Sequence, residues 1–443
     1  MNAREIALKI INEVNTNEAY ANISLAREIN KHTLSDQDRR FVTELVYGTI
    51  KTGATLDWII SKYINRPLSK IAPIILDILR MGVYQIFFMS KVPDSAACNQ
   101  SVEISKKYGH TGTIKFINAV LRNVVRMPEK AKYPTMEEDP IKHLALEYYH
   151  PEWLIKRWIN RLGFEEVRKL CVFNNTTPPL SIRTNTLKNT RIELAEILTK
   201  EDFEFKNSKF TPEGIICTAH PAISNLKSLQ NGLFQIQDES SMLVAHVVDP
   251  HPGEFIIDTC SAPGGKTTHL AALMKDNGKI LATDIYDHKL LKINENAKRL
   301  GINIIETKLL DATKIGEMYK GTADRVLVDA PCSGLGVLRR KPDSRWRKSE
   351  TLLQELPILQ NAILTSAANA VKLGGTLVYS TCTTEIEENQ NVVNNFLSSR
   401  TDFKLEKASE FLPMECSSSD MLQLWPHIDG VDGFFIARMK RIK

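Results

Sequence analysis

The stretch Phe255-Ile-Ile-Asp-Thr-Cys260-Ser-Ala-Pro-Gly-Gly-Lys266-Thr-Thr-His-Leu-Ala-Ala-Leu-Met274 determines the class of fold. Its apolar start, Phe255 to Ile257, predicts a buried strand, and the segment from Thr267 onward predicts the first turns of a helix. A tight turn that contains Gly264 and Gly265 lies between them. A strand, a glycine turn and a helix bring backbone close to a ligand at the carboxyl edge of a parallel sheet. We therefore expect an α/β fold with a ligand site at this turn.

The turn also restricts the kind of ligand. A phosphate-binding loop requires the pattern G-x-x-x-x-G-K-[ST], and here Cys260 occupies the first glycine position. The dinucleotide fingerprint G-x-G-x-x-G is absent as well. The turn therefore suits a nucleoside-type ligand with little or no phosphate, and the alternative is an ordinary strand-to-helix turn that binds nothing.

Four further strand-like segments follow, and each leads into an acid or a cysteine. They are Lys279–Asp284, Ile304–Leu310 with Asp311 after it, Asp324–Asp329, and 374–382 ending at Cys382. Helical stretches separate them, so the strands should be parallel and should bring these polar ends to one edge of the sheet. A carboxylate at Asp284 could accept both ribose hydroxyls of a nucleoside, as an acid does one strand along in nucleotide sites.

Three motifs carry a resemblance to a known family. Asp258-x-Cys-x-Ala-Pro-Gly-Gly-Lys266, Asp329-Ala-Pro-Cys332-Ser-Gly and Ser380-Thr-Cys382-Thr together resemble the RNA cytosine-5 methyltransferases of the RsmB/NOP family. The similarity extends over the whole chain. It implies a Rossmann-like methyltransferase domain, S-adenosylmethionine as methyl donor, and a cytosine of 16S rRNA, in the small ribosomal subunit, as acceptor.

The resemblance also implies a set of cofactor-binding residues. In the turn and the helix start these are Cys260, Ser261, Ala262, Pro263, Gly264, Gly265 and Lys266. Asp284 is expected at the ribose, Asp311 near the adenine amine, and Asp329 against the cofactor.

The chemistry at cytosine C5 explains why the family needs two cysteines and an acid. C5 is a poor nucleophile until a thiolate adds to C6 and pushes electrons onto C5. The resemblance makes Cys382 that nucleophile, places Asp329 at N3 and the exocyclic amine, and gives Cys332 a part in releasing the adduct. The rival assignment makes Cys332 the nucleophile, and the simplest alternative is that one or both are buried thiols. No histidine or lysine neighbours Cys382 in sequence, so the sequence does not show how its thiol loses a proton.

A basic segment, Leu338 to Lys348, follows the second motif. It contains six basic residues and one tryptophan, which fits phosphate contact and stacking on an unpaired base. The RNA-binding candidates are Arg339, Arg340, Lys341, Arg345, Trp346 and Arg347. The alternative is a solvated loop.

The chain before the turn divides into two parts. Residues 1–130 are expected to be all helical, and the segment from Asp38 to Gly48 resembles the NusB family of RNA-binding domains. Three basic residues there could contact phosphate or could simply form ion pairs on the surface: Arg39, Arg40 and Lys51. Residues 131–234 are expected to form a linker and a small α+β segment similar to an RRM. That segment lacks the aromatic RNP1 motif of a true RNA-recognition module. We therefore expect it to have a packing and positioning role rather than to bind RNA through aromatic side chains. The catalytic domain is expected over 235–443.

Charge and cysteine content indicate the binding partners, metal content and cellular compartment of the protein. The net charge is +5, and residues 1–150 hold 20 basic against 16 acidic side chains, as expected for a part that contacts RNA or, equally, for a solvated surface. Seven scattered cysteines without C-x-x-C predict no metal and a reducing cytoplasm. No signal peptide or membrane span is predicted, and we expect a monomer. The same chemistry on tRNA or another rRNA site, and a non-catalytic RNA-binding adaptor, remain alternative functions.

Overall fold

The computed structural model describes residues 1–17, 19–223, 226–413 and 419–443. The chain forms two compact units. The first comprises residues 1–176 and 338–348, and the second comprises 177–337 and 349–443. The three-part division predicted at residues 130 and 234 stays a prediction.

In the first unit, the regular secondary structure of the described residues is helical, as predicted. The helices are α1 (Ala3–Asn17), α2 (Ala21–Lys31), α3 (Asp36–Lys51), α4 (Gly53–Ser61), α5 (Pro73–Phe88), α6 (Asp94–Ser105), α7 (Thr111–Arg126), α8 (Pro140–Glu147), α9 (Glu152–Leu162) and α10 (Phe164–Asn174). The buried face of α1 carries Ile6, Ile10 and Val14, which recur every four residues. Ser35 caps α3 by accepting the N–H of Asp38 at 3.1 Å.

The second unit begins with a small antiparallel sheet. Its elements are β1 (Leu180–Thr184), α11 (Arg191–Lys200), β2 (Glu204–Asn207), β3 (Gly214–Ala219), α12 (Lys227–Gln230) and β4 (Phe234–Ile236), in the order β2-β3-β1-β4. Ile182, Leu194, Ile215 and Phe234 form its core. This confirms the predicted small α+β fold, although the sequence did not indicate β4, which spans only three residues.

A seven-strand path forms the main sheet of the second unit. Its elements are α13 (Glu239–Val248), β5 (Phe255–Thr259), α14 (Gly265–Leu273), β6 (Lys279–Asp284), α15 (Asp287–Leu300), β7 (Ile305–Leu309), α16 (Ile315–Met318), β8 (Ala323–Asp329), α17 (Leu352–Ala370), β9 (Val371–Thr381), α18 (Gln390–Ser399), β10 (Phe403–Glu406), β11 (Met421–Leu424), α19 (Pro426–Asp429) and β12 (Phe434–Arg441). The order is β10-β12-β9-β8-β5-β6-β7, and the strands from β9 to β7 are parallel. This confirms the predicted open α/β fold, in which β5 is the middle of the five parallel strands.

The antiparallel side of this sheet differs in detail from the prediction. The patterns of residues 423–427 and 433–438 predict two antiparallel edge strands joined by an Asp-Gly-containing turn. Strands β11 and β12 do pair antiparallel, but the short helix α19 occupies part of the connection. Strand β12 also lies inside the sheet, between β9 and β10. Its residues from Phe434 to Met439 are buried, which suits an interior strand.

Among the described residues, none of the helices is both long enough and apolar enough to span a bilayer.

Candidate active site

The predicted cofactor turn leaves β5 and enters α14 in an unusual backbone conformation. Cys260 has φ +56° and Gly264 has φ +94°, in the left-handed region that glycine adopts readily. Both the backbone N–H and the hydroxyl of Ser261 donate to the carbonyl of Thr283 at 2.9 Å. The carbonyl of Pro263 accepts Asn296 Nδ2 at 3.0 Å. The turn, which includes Ala262 and Gly265, is therefore tied to the end of β6 and to α15.

Three acids lie at the ends of neighbouring strands. One carboxylate oxygen of Asp284 accepts the N–H of Tyr286 at 3.1 Å, and the side chain is mostly buried. Asp311 is exposed and accepts the N–H of Thr313 at 2.9 Å. Asp258 is fully buried. Its Oδ2 accepts Thr267 Oγ1 at 2.6 Å, and within the described chain its Oδ1 has no hydrogen-bond donor. Burial raises the pKa of Asp258 to about 7, although the hydrogen bond from Thr267 opposes that shift.

Lys266 and Asp329 form an ion pair beside this turn. Lys266 Nζ lies 2.7 Å from Asp329 Oδ2, and Ser380 Oγ donates to Asp329 Oδ1 at 3.0 Å. Burial opposes the positive charge, but Asp329 more than offsets it and holds the pKa of Lys266 above its ordinary value. Lys266 also interacts electrostatically with Cys382. The sequence assigned this lysine only to cofactor binding and gave no signal for its proximity to that cysteine.

The two motif cysteines meet at the ends of adjacent strands. Asp329 on β8 pairs in register with Ser380 on β9, so Cys332 and Cys382 leave the sheet side by side. Their Sγ atoms lie 3.4 Å apart, and both side chains are partly buried. The hydrogen bond with Cys382 and burial raise the pKa of Cys332 well above its ordinary value. Gly336 N–H donates to the carbonyl of Cys382 at 3.1 Å, which holds the two cysteine segments together.

The basic segment belongs by contact to the first unit, and Arg345 and Trp346 are among its residues that have structural partners there. Arg345 is fully buried, and its guanidinium donates to the carbonyls of Tyr149 at 2.7 Å and Asn174 at 3.3 Å. Trp346 donates its indole N–H to the carbonyl of Ile50 at 2.8 Å. Burial lowers the pKa of Arg345 to about 10. These contacts occupy both terminal nitrogens of the Arg345 guanidinium within the helical unit, and its RNA-binding role stays a prediction.

The other basic residues predicted to bind RNA are less buried than Arg345. The Arg339 guanidinium lies 4.4 Å from the centroid of the Phe173 ring. Arg347 lies 3.3 Å from Asp343 and also donates to the carbonyl of Ala19. Lys341 is exposed and Arg340 is half-buried. On α3, Arg39 and Arg40 are exposed, whereas Lys51 is half-buried.

Sequence reasoning missed a polar cluster that joins the small sheet to α14. Arg183 is almost fully buried and donates to the carbonyl of Gly265 at 2.7 Å. Glu213 Oε1 lies 2.9 Å from Nε2 of both His246 and His269. Burial and the charge of Arg183 lower the pKa of His269 to about 3. Glu213 and the two histidines are close enough together to hold a metal ion, so the predicted absence of a metal stays a prediction.

Four cysteines, Cys98, Cys171, Cys217 and Cys416, lie in no motif, so the sequence predicts that they are ordinary buried thiols. Cys98, Cys171 and Cys217 are buried, and burial raises the pKa of Cys171 to about 12. Cys416 lies outside the described residues.

Three family models match successive parts of the chain. Residues 1–126 match the NusB family, and residues 150–224 match the ferredoxin-like domain of RsmF/B-like methyltransferases. Residues 245–440 match 16S rRNA methyltransferase RsmB/F. This last match contains the cofactor turn, Lys266, Asp329 and both motif cysteines.

Curated relatives match along the whole chain. A Bacillus subtilis protein described as probable ribosomal RNA small subunit methyltransferase B is 40% identical, over 99% of this chain and 98% of its own length. A Synechocystis protein with the same description is 37% identical, over 100% of this chain and 100% of its own length.

Solved structures show the same architecture. The crystal structure of PH0851 is 29% identical, with a TM-score of 0.85 over 100% of this chain and 99% of its own. The structure of NSun6 from Pyrococcus horikoshii with SFG is 27% identical, with a TM-score of 0.60 over 66% of this chain and 98% of its own. Taken with the full-length relatives and the motifs gathered at the sheet edge, these matches show that the chain belongs to the 16S rRNA methyltransferase RsmB/F family.

Proposed function

We propose that this protein transfers a methyl group from S-adenosylmethionine to C5 of a cytosine in small-subunit rRNA, with Cys382 as covalent nucleophile. The observation that carries the proposal is the 3.4 Å approach of Cys332 Sγ to Cys382 Sγ beside the Lys266–Asp329 pair. The names of the relatives supply the rRNA substrate. The two thiols, the lysine and the carboxylate supply the reaction type.

The turn after β5 has features that fit the cofactor. Cys260 and Gly264 have left-handed backbone conformations, and the hydrogen bonds from Ser261 to Thr283 hold the turn at the end of β6. Asp284 has one oxygen bound to Tyr286 N–H, which leaves the other for a ribose hydroxyl. Asp258 Oδ1 is a buried acceptor without a donor in the described chain. A similar solved structure contains SFG, an analogue of S-adenosylmethionine. When bound, S-adenosylmethionine would supply an electrophilic methyl group on a sulfonium.

The residues around Cys382 favour its action as a nucleophile. The nearby Lys266 ammonium stabilises a thiolate more than a thiol. That thiolate forms a bond from Sγ to cytosine C6, and the electron pair of the C5–C6 double bond moves toward C5 and the ring. Asp329 is positioned by Lys266 and Ser380, and it would hold N3 and the exocyclic amine so that the ring can accept this charge. C5 can then accept the methyl group.

Cys332 is suited to act after methyl transfer. The adduct is resolved when the C5 proton leaves to a base, the C5–C6 double bond re-forms, and Cys382 leaves as a thiolate. The interaction with Cys382 is the foremost cause of the raised pKa of Cys332. Once Cys382 is a thioether it carries no thiolate charge, so the pKa of Cys332 falls. The Cys332 thiol can then lose its proton to solvent, and the resulting thiolate can accept the C5 proton. The interaction between the two thiols therefore supports a role for Cys332 after that of Cys382.

Two alternative functions are the same chemistry on a different RNA and a non-catalytic RNA-binding role. The same chemistry on tRNA or at another rRNA position would use the same residues. A non-catalytic RNA-binding adaptor would have no use for two adjacent thiols beside a buried lysine, and this arrangement favours the enzyme.

Bisulfite mapping of rRNA and tRNA tests the proposal. We compare cells that carry the gene, lack it, or carry the Cys382→Ala variant. One small-subunit cytosine should be protected only with the intact gene. Protection of a tRNA cytosine instead would redirect the substrate, and an unchanged pattern in all three strains would contradict the proposed activity.

A further inference from the structure

We propose that Glu388 and Asn389 are positioning residues that hold the chain around the two reactive cysteines, Asn389 directly on both sides of Cys382, and Glu388 directly on one side of Cys332 and through Gln360 on the other. Glu388 acts on the Cys332 segment, and Asn389 acts on the Cys382 segment. The inference rests on the proposed two-cysteine reaction, and it assigns roles to residues in none of the motifs.

Glu388 holds the residues that flank Cys332. Its Oε2 accepts the N–H of Ser333 at 2.8 Å, and its Oε1 accepts the Ser333 hydroxyl. Gln360 Nε2 donates at 3.0 Å both to Glu388 Oε2 and to the carbonyl of Pro331. Pro331 and Ser333, the residues immediately before and after Cys332, are thus fixed through one carboxylate and one amide.

Asn389 does the same for Cys382. Its Oδ1 accepts Thr381 Oγ1 at 2.6 Å, and its Nδ2 donates to the carbonyl of Thr383 at 3.0 Å. Nδ2 also donates to Gln423 Oε1 at 3.0 Å. The two neighbours of Cys382 are therefore bound by opposite ends of one amide group.

The two sets of contacts are joined and buried. Ser333 Oγ lies 2.8 Å from Thr383 Oγ1, so the segments are hydrogen-bonded to each other next to the thiols. Tyr379 OH donates to the carbonyl of Glu388 at 2.7 Å. Both Glu388 and Asn389 are fully buried, and burying a carboxylate and an amide is costly unless they are hydrogen-bonded, as these are. Burial raises the pKa of Glu388, and hydrogen bonds from Ser333 and Gln360 oppose that shift.

Neither residue contacts a thiol in these hydrogen bonds, so we place their effect on the reaction in the segments that they hold. The charge of Glu388 also raises the pKa of Cys332, and Glu388→Gln, which removes that charge but keeps the hydrogen bonds, separates the two effects. A displacement of a reacting group by about 1 Å can cost roughly 100-fold in rate. Loss of the Glu388 contacts should displace Cys332 and slow adduct release. Loss of the Asn389 contacts should displace Cys382 and prevent the adduct from forming. Two adjacent residues should therefore give opposite covalent phenotypes, which a general loss of stability would not do.

The experiment compares Glu388→Ala and Asn389→Ala in the full-length protein with substrate RNA and S-adenosylmethionine. The readouts are denaturing electrophoresis for a covalent protein–RNA species, product formation, thermal unfolding and cofactor affinity. Cys332→Ala and Cys382→Ala run in parallel as references. Glu355→Ala and Asn391→Ala, at exposed positions on α17 and α18, are the matched controls. Glu388→Gln should restore release, because its amide oxygen can still accept from Ser333 N–H and Gln360.

Glu388→Ala is expected to accumulate the covalent species, with release slowed by roughly 100-fold, and Asn389→Ala is expected to form none. If either variant does not fold, Ser333→Ala and Thr381→Val, which each remove one hydroxyl, replace it and should show the same difference. Equal phenotypes for the Glu388 and Asn389 variants, or wild-type turnover in either, would overturn the inference. If instead Cys332→Ala traps no adduct, the proposed function itself fails, and the two failures are distinguishable.

Discussion

Cys332 Sγ lies 3.4 Å from Cys382 Sγ, although the residues are 50 positions apart in the chain. The parallel pairing of β8 with β9 produces this approach, because Asp329 and Ser380 are in register and the two cysteines follow these paired residues by three and two positions. One planar pyrimidine ring could therefore meet both thiols and the carboxylate of Asp329. Changes in the cofactor turn, in the basic segment and in the thiols should therefore have different consequences.

The first prediction concerns the ribose contact of the cofactor. Asp284→Ala should weaken S-adenosylmethionine binding at least about tenfold, because a hydrogen bond to a charged group contributes roughly 1.5–3 kcal/mol. Isothermal titration calorimetry measures the change. Asp287→Ala, at an exposed position three residues further on, is the matched control. Equal affinity in the Asp284 variant and the wild type would remove this residue from the cofactor site.

The second prediction concerns the dependence of stability on pH. The pKa of Asp258 is raised to about 7 in the folded protein, against about 3.9 in an unfolded chain. The folded state therefore binds more protons between these values, and stability should fall as pH rises through that window, by up to about 1.4 kcal/mol per pH unit. Asp258→Asn removes this titration. Its melting temperature relative to wild type should rise from pH 5 to pH 8, and a constant difference across that range would contradict the assignment.

The third prediction concerns the basic segment. RNA affinity should fall with salt, with a slope of roughly 0.7 for each phosphate contact on a single strand. Arg339→Ala/Arg340→Ala should reduce that slope, as filter binding at several salt concentrations would show. Lys200→Ala/Lys206→Ala removes the same charge from exposed positions of the small α+β segment. An equal reduction by both pairs would mean that the segment has no special role in RNA binding.

Much of the fold was predictable because its signals are local. The apolar runs that become β5, β6, β8 and β9 each lead into a turn, an acid or a cysteine. Parallel pairing alone then brings those ends together. The NusB-like helices follow from apolar residues at helical spacing, as on α1. Strand β10 was missed because it has four residues, of which Lys404 and Glu406 are charged.

The parts that could not be predicted depend on contacts distant in sequence. Arg345 stands in a basic run that is typical of a surface, and only the packing of residues 338–348 against helices of the first unit buries it. Glu388 follows Glu385 and Glu387 in what looks like an exposed acidic segment, yet it is fully buried. Lys266 comes near Cys382 only when β5 and β9 lie on either side of β8. Periodicity and motif spacing carry no information about such pairings.

The two thiols provide the most direct test of the reaction. The measurement is denaturing electrophoresis of Cys332→Ala and Cys382→Ala after incubation with substrate RNA and S-adenosylmethionine. Cys332→Ala should show a stable protein–RNA band, because attack and methyl transfer proceed while release is slowed by about 10²–10⁴, the usual cost of losing an acid–base group. Cys382→Ala should show no band and no methylated product. A stable band from Cys382→Ala with none from Cys332→Ala would contradict the account and make Cys332 the nucleophile.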